Sequence, residues 1–269
     1  MAERHIRVGT FEYARFLGQP GDLEALLKYT IQRHYPTLKD HPNPALALLE
    51  AVRQKQKDLI VNWLRVGFIH GVMNTDNMAI SGETIDYGPC AFMNAFHPRT
   101  VFSSIDTDGR YAFANQPNIA YWNLGVLANA LLPLIDEEEA IASAKAEEVL
   151  DRFPEDFTGA YFEMMGNKLG IVNQVEEDRD LVNSGLKLLA KWRVDYTNFF
   201  TELRRGGDLI NKLREEEAFE NWYSRWEKAR LRGTSLTESN ALMAQTNPVA
   251  IPRNHLVEEV LQSAVAGDM

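Results

Sequence analysis

Two short stretches hold the residue types that chemistry needs. Phe68-Ile69-His70-Gly71-Val72-Met73-Asn74-Thr75-Asp76-Asn77-Met78 sets a carboxylate beside an amide, and Asp86-Tyr87-Gly88-Pro89 follows eight residues later. A hard cation such as Mg²⁺ takes oxygen ligands, one or two of them carboxylates, with water and substrate phosphates completing the shell. Catalysts of phosphate transfer combine an Asp/Asn loop, a second loop pairing Asp with Gly, and a free acidic group near the acceptor hydroxyl. All three parts fall within twenty residues here, which points to nucleotide chemistry. The competing reading is that Asp and Asn simply favour turns, and on pattern alone both stay open.

The elements around these stretches must position them. Asp22 to Tyr35 puts Leu23, Leu26, Leu27 and Ile31 on one helical face, with Pro36 as its stop. Asn43-Pro44 reads as N-cap and first-turn proline of a long helix that carries Leu46, Leu49, Val52, Leu59, Trp63 and Val66 and ends at Gly67. Met78-Ala79-Ile80 and Thr84-Ile85-Asp86 flank Ser81-Gly82-Glu83 and predict a short hairpin or paired-loop element. The stretch from Phe92 to Gln116 reads as irregular. Beyond it, helical spacing predicts segments near 118–134, 136–152, 156–169, 180–204, 215–230 and 254–265. The expected fold is mainly α with a small β element, in one domain over 1–269, with the chemistry within 70–93 and a helical remainder over 118–269.

Other candidates read as structure. His70 fits a packed histidine better than a polarising group. Asp106-Thr107-Asp108-Gly109 opens like a calcium loop, but no glutamate stands at the twelfth position, so a plain turn is expected. Cys90 reads as a small buried side chain. The acidic runs at 136–139, 176–180 and 215–217 fit solvated helix starts. Tyr196, Phe199 and Phe200, and Trp222, Tyr223 and Trp226, read as core anchors, because no basic stripe accompanies them.

Composition narrows the class. The 269 residues carry a formal net charge of −10 and a pI near 5.2, which argues against non-specific nucleic-acid binding. A single cysteine excludes an intramolecular disulfide framework and a Cys-rich zinc site. The first residues lack the apolar core of a signal peptide, and no run of eighteen apolar residues is apparent. A soluble, cytoplasmic protein with no membrane span is expected.

Beyond single motifs, the chain resembles selenoprotein O and its bacterial YdiU relatives. The resemblance rests on Arg7-Val8-Gly9-Thr10-Phe11, the His70–Met78 loop, Ile85-Asp86-Tyr87-Gly88-Pro89-Cys90-Ala91-Phe92-Met93 and Val101-Phe102-Ser103-Ser104-Ile105-Asp106. It continues through Gly109-Arg110-Tyr111, Asn115-Gln116-Pro117, Trp122-Asn123-Leu124, Asp195-Tyr196-Thr197-Asn198-Phe199-Phe200, Asn247-Pro248 and Arg253-Asn254. It implies a protein-kinase-like fold that transfers AMP from ATP to Ser, Thr or Tyr hydroxyls of proteins. Carried over, Asp76 is the proton acceptor, Asn77 and Asp86 hold Mg²⁺ (or Mn²⁺ in its place), and Arg7 and Asp86 face the nucleotide.

The resemblance also implies departures. The family's N-terminal lobe, with its Gly-rich loop, phosphate-binding lysine and partner glutamate, has no counterpart in these residues. The chain is therefore expected to be a kinase-like C-lobe lacking the N-terminal lobe, as a fragment, a split gene product or a truncated paralogue, with a separate N-terminal lobe among its candidate partners. Asn94 and His97 stand where the family usually carries aspartates. Hydrogen bonds to charged groups are worth about 1.5–3 kcal/mol each, and micromolar to millimolar nucleotide binding totals about 4–8 kcal/mol. Without the lobe's contacts the chain is expected to bind ATP poorly. The alternative expectation is a non-catalytic helical module that binds protein partners.

Overall fold

A computed structural model describes residues 5–267. Part of the leader considered for a signal peptide, Met1 to Arg4, lies outside the described residues. The chain falls into two compact units: Met1–Ile60, Val72–Gly88 and Asn115–Thr158 form one, and Val61–Gly71, Pro89–Ala114 and Gly159–Met269 the other.

The first unit is built on α1 (Val8–Leu17), α2 (Asp22–His34), the first part of α3 (Pro44–Val66), α4 (Gln116–Ile135) and α5 (Glu139–Asp151). Asn43 caps α3 as its sequence predicts: its Oδ1 accepts from the Leu46 amide at 3.1 Å. The helix α1 had no counterpart among the predicted segments. Its Val8 and Phe11 are buried while Tyr13, Phe16 and Leu17 are exposed, so apolar residues on two faces blur the stripe that marks an amphipathic helix. Within α4, Ile119, Leu124, Leu127 and Leu131 are buried, and the helix packs on α1 and α5. With the turn before it, α4 is long and apolar enough to cross a membrane by length and composition, contrary to expectation, yet half of that stretch is buried as in a core helix. The largest buried charge is Arg53, which bonds Glu50 and Asp156 at 2.7 and 2.5 Å. That bond holds the Asp156 carboxyl below its ordinary value.

The second unit holds the end of α3, most of α6 (Phe153–Lys168), then α7 (Asp178–Trp192), α8 (Tyr196–Arg205), α9 (Asp208–Leu213), α10 (Glu217–Arg230), α11 (Leu236–Thr246) and α12 (Asn254–Ala266). Tyr196, Phe199, Phe200, Trp222 and Trp226 are buried core anchors, as read from the sequence, and Phe219 packs with them. The single helix expected over 180–204 is instead two. Arg193 takes a left-handed φ of 52°, the Tyr196 amide donates to Asn94 O at 2.8 Å, and Asp195 caps α8 by accepting from the Asn198 amide at 2.8 Å. Backbone pairing with residues 94–96 replaces the helical bonds that would have carried α7 onward. Two helices, α9 and α11, lie where the sequence pattern marked none; α11 has a capping box between Ser235 and Glu238.

Among the described residues the one sheet has two strands, β1 (Phe68–Ile69) and β2 (Ala91–Phe92), paired antiparallel with Phe68 opposite Phe92. The hairpin expected across 78–86 does not form. Its first arm pairs with the start of α1 instead: the Val8 amide donates to Met78 O and the Ile80 amide to Ile6 O, both at 2.9 Å. Those backbone groups are thereby used, and Gly82 turns the chain by donating to Ala79 O at 3.1 Å.

Lys168 is fully buried in the second unit, where its Nζ donates to Arg65 O at 2.7 Å and Asn247 Oδ1 at 2.8 Å and lies 4.0 Å from the Phe200 ring centre. Burial, then the nearby Arg65 charge, pushes its pKa well below the lysine range. Between that lowered value and about 10.4 the unfolded chain binds a proton that the folded chain does not. Stability is therefore expected to rise with pH through that window. Denaturation midpoints measured against pH should show this rise in the wild type and a flatter profile in Lys168→Met. Equal slopes in the two would refute it.

Candidate active site

Arg7, Asp76, Asn77 and Asp86 all belong to the first unit. Arg7 is the N-cap of α1 and pairs in antiparallel fashion with Ala79. Thr75–Asn77 form a single 3₁₀ turn. Two residues after this turn the chain meets α1, so the turn and the helix N-terminus are locked together by backbone bonds.

Within the turn, Asp76 is exposed, and its carboxylate takes no hydrogen bond or ion pair among the described residues. One oxygen lies directly above Gly9 in the first turn of α1: a Cβ placed there would sit within 2.3 Å of Asp76 Oδ1. Asn77 is half-buried and donates through Nδ2 to Val72 O at 2.9 Å. That bond fixes the amide plane and leaves Oδ1 as an acceptor. Among the described residues, Asp86 is one of two non-glycine residues with left-handed backbone, at φ 59°. Such conformations are uncommon for non-glycine residues and cluster at functional positions. Its carboxylate faces Arg7, with Nη2 to Oδ2 at 3.7 Å and side-chain exposures of 35% and 53% for the arginine and the aspartate. The Arg7 Nε is buried with no partner among the described residues, so this guanidinium has a donor to spare.

Asn77 and Asp86 carry oxygen donors of the kind a hard cation takes. Among the described residues no cluster of three or more His, Cys, Asp or Glu could hold a metal. Such an all-protein cage is what Mg²⁺ does not require, since it keeps waters and substrate phosphates in its shell. One carboxylate and one amide oxygen, Asp86 and Asn77, are the ligand types it takes from protein.

Several residues that brace the segment had no assigned role in the sequence reading. Tyr35 donates its hydroxyl to Ile80 O at 2.5 Å, and burial raises its pKa. Gln56 Nε2 donates to Ala79 O at 2.7 Å. Asn123 Nδ2 donates to Met73 O and Ile119 O, each at 2.9 Å. No local pattern marks these partners, which lie 23 to 50 positions away in the chain. In the second unit, His70 is buried beside Trp63 and Phe68, as expected of a packed histidine. Asp106 accepts from the Arg110 and Tyr111 amides at 2.8 Å, which makes its loop the plain turn expected. Cys90 is half-buried, and burial raises its thiol pKa, so nothing activates it.

The family model described as protein adenylyltransferase SelO matches residues 1–269. The chain belongs to the SelO family. A protein nucleotidyltransferase YdiU of Alcanivorax borkumensis is 50% identical over 266 residues, covering 98% of this chain and 55% of the relative. Another so named, from Bacillus cereus strain G9842, is 46% identical over 270 residues, covering 100% and 55%. The chain thus spans about half the length of the curated relatives it matches. The resemblance seen in the motifs therefore extends along the whole chain, and the residues from Arg7 to Asp86 sit inside the matched region.

Because Asn123 is buried and anchors the Met73 carbonyl just before the 3₁₀ turn, Asn123→Ala is expected to destabilise the fold by about 1–3 kcal/mol, the cost of leaving a buried acceptor unpaired. Urea unfolding of wild type and variant checks it. A change under a few tenths of a kcal/mol would show that Met73 O needs no donor.

Proposed function

We propose that this chain carries the catalytic segment of a protein adenylyltransferase, on a kinase-like C-terminal lobe, which moves AMP from ATP to a Ser, Thr or Tyr hydroxyl of a protein. The observation that supports it most is the set of roles gathered in the first unit: Asp76, a carboxylate with no hydrogen bond or ion pair among the described residues, in the same unit as Asn77, Asp86 and Arg7, of which Arg7 and Asp86 face each other. Names borne by relatives, protein nucleotidyltransferase, point to the same chemistry.

The acceptor oxygen attacks the α-phosphorus of ATP, forming the new P–O bond as the bond to pyrophosphate breaks. Asp76 takes the acceptor's proton. Asn77 Oδ1 and the Asp86 carboxylate would hold one Mg²⁺, which would neutralise charge on the nucleotide phosphates. Arg7, with its unpartnered Nε, donates to the nucleotide. Rate then comes from positioning and preorganised charge more than from covalent chemistry on the protein. The relatives' remaining length is proposed to supply the phosphate-gripping groups that the resemblance assigns to a separate lobe, encoded with this chain or delivered by another.

A second reading has one observation in its favour. The helix α12 buries none of its residues and exposes Leu256, Val260, Leu261 and Val265, as a helix awaiting a protein partner would. Transfer of label from α-labelled and γ-labelled ATP to protein separates the readings, measured on the protein at its full encoded length. Label from the α position, dependent on Mg²⁺, is expected. Asp86→Ala should abolish it, and Asp76→Ala should slow it by roughly 10²–10⁴, the usual worth of a general base. Label from γ alone would mean kinase chemistry, and label from neither would leave the binding module.

A further inference from the structure

Gly9 stands in the first turn of a regular helix, where glycine is a weaker helix former than alanine. Its backbone is not left-handed, so conformational freedom does not explain it. Space does. A Cβ on Gly9 would meet Asp76 Oδ1 at 2.3 Å, Asp76 Cγ at 3.2 Å and the Thr75 carbonyl carbon at 3.3 Å. The first of these distances is far inside any real Cβ contact. The neighbouring backbone cannot yield easily, because the Val8 amide is bonded to Met78 O and the Ile80 amide to Ile6 O. The carboxylate itself is the part that would have to move.

We infer that Gly9 is a positioning residue: its bare Cα forms the seat that fixes the direction in which the Asp76 carboxylate faces the acceptor hydroxyl. This inference rests on the proposed role of Asp76. A side chain at position 9 turns that carboxylate aside, the atoms nearest its Cβ belonging to Asp76 and Thr75. Misplacing a reacting group by about 1 Å can lower a rate by about 10²-fold. The metal and nucleotide ligands stay in place, so the effect falls on turnover and not on binding.

The test is a cycle of Gly9→Ala, Asp76→Ala and the double variant in the protein at its full encoded length. It is read by transfer from α-labelled ATP and by thermal melting. Gly9→Ala is expected to lower kcat by about 10–10²-fold and leave the KM for ATP within about twofold, because the nucleotide contacts are untouched. In the Asp76→Ala background the same substitution should change kcat by less than about twofold, since the group it displaces is gone. Melting reads the contact even if no transfer is seen: Gly9→Ala should raise Tm less in the wild type than beside Asp76→Ala, where no carboxylate has to move aside. An active wild type whose kcat survives Gly9→Ala would overturn the inference and leave the adenylyltransferase reading standing. Independent, additive melting shifts would overturn it whatever the activity. A wild type without transfer would count against the function, and the coupled melting shifts would then still establish the seat.

Discussion

The backbone pairing between the start of α1 and residues 78–80 is the constraint on which the candidate site depends. Val8 and Ile80 donate across it to Met78 and Ile6, each at 2.9 Å. Backbone donors and acceptors must be paired when buried, and Val8, Met78, Ala79 and Ile80 are all buried. This short ladder thus fixes the register of a helix against a segment with almost no regular structure of its own. Through it, Arg7 comes to face Asp86, and Gly9 comes to lie beneath Asp76. Slipping the pairing by one residue would turn every side chain of the segment to the opposite face and separate all of these groups.

Side-chain donors then stiffen the same segment without consuming its chemistry. Asn77, Tyr35, Gln56 and Asn123 send their hydrogen bonds to the carbonyls of Val72, Ile80, Ala79 and Met73. Every one of these braces ends on backbone, and none ends on a carboxylate. A site held by bonds to its main chain can be rigid while its acidic groups keep their lone pairs for a cation or a proton. Had the braces gone to Asp76 or Asp86, the same number of bonds would have held the fold and disabled the site.

Much of this was legible in the residues, and what was not has a physical cause. Asp76, Asn77 and Asp86 stood out because their residue types and spacing are local. The long helix α3 was equally plain, from its Asn43-Pro44 start and apolar stripe. The hairpin over 78–86 failed because the partner of residues 78–80 lies some seventy residues earlier in the chain, and local turn chemistry carries no information about such pairing. The helix expected over 180–204 broke at Arg193 for the same reason, the Tyr196 amide and the Val194 carbonyl being claimed by Asn94 and Phe96. Gly9 was visible as part of a motif, but its meaning needed the carboxylate above it. Apolar periodicity likewise hid α1, whose exposed Tyr13 and Phe16 compete with its buried face.

The loose ion pair of Arg7 with Asp86 follows from the same arrangement. At 3.7 Å and with the aspartate about half exposed, such a pair contributes only about 0.2–1 kcal/mol. A hydrogen bond from a guanidinium to a charged phosphate oxygen is worth about 1.5–3 kcal/mol. On the proposed reading, breaking the pair to turn Asp86 toward a cation and Arg7 toward the nucleotide is therefore favourable overall. The buried, unpartnered Nε of Arg7 adds to the difference, because pairing it removes a cost that the nucleotide-free chain bears. A tighter, fully buried Arg7–Asp86 pair would have opposed that exchange. On that reading, the weakness of the contact is what would let one aspartate serve an arginine in one state and a metal ion in the other.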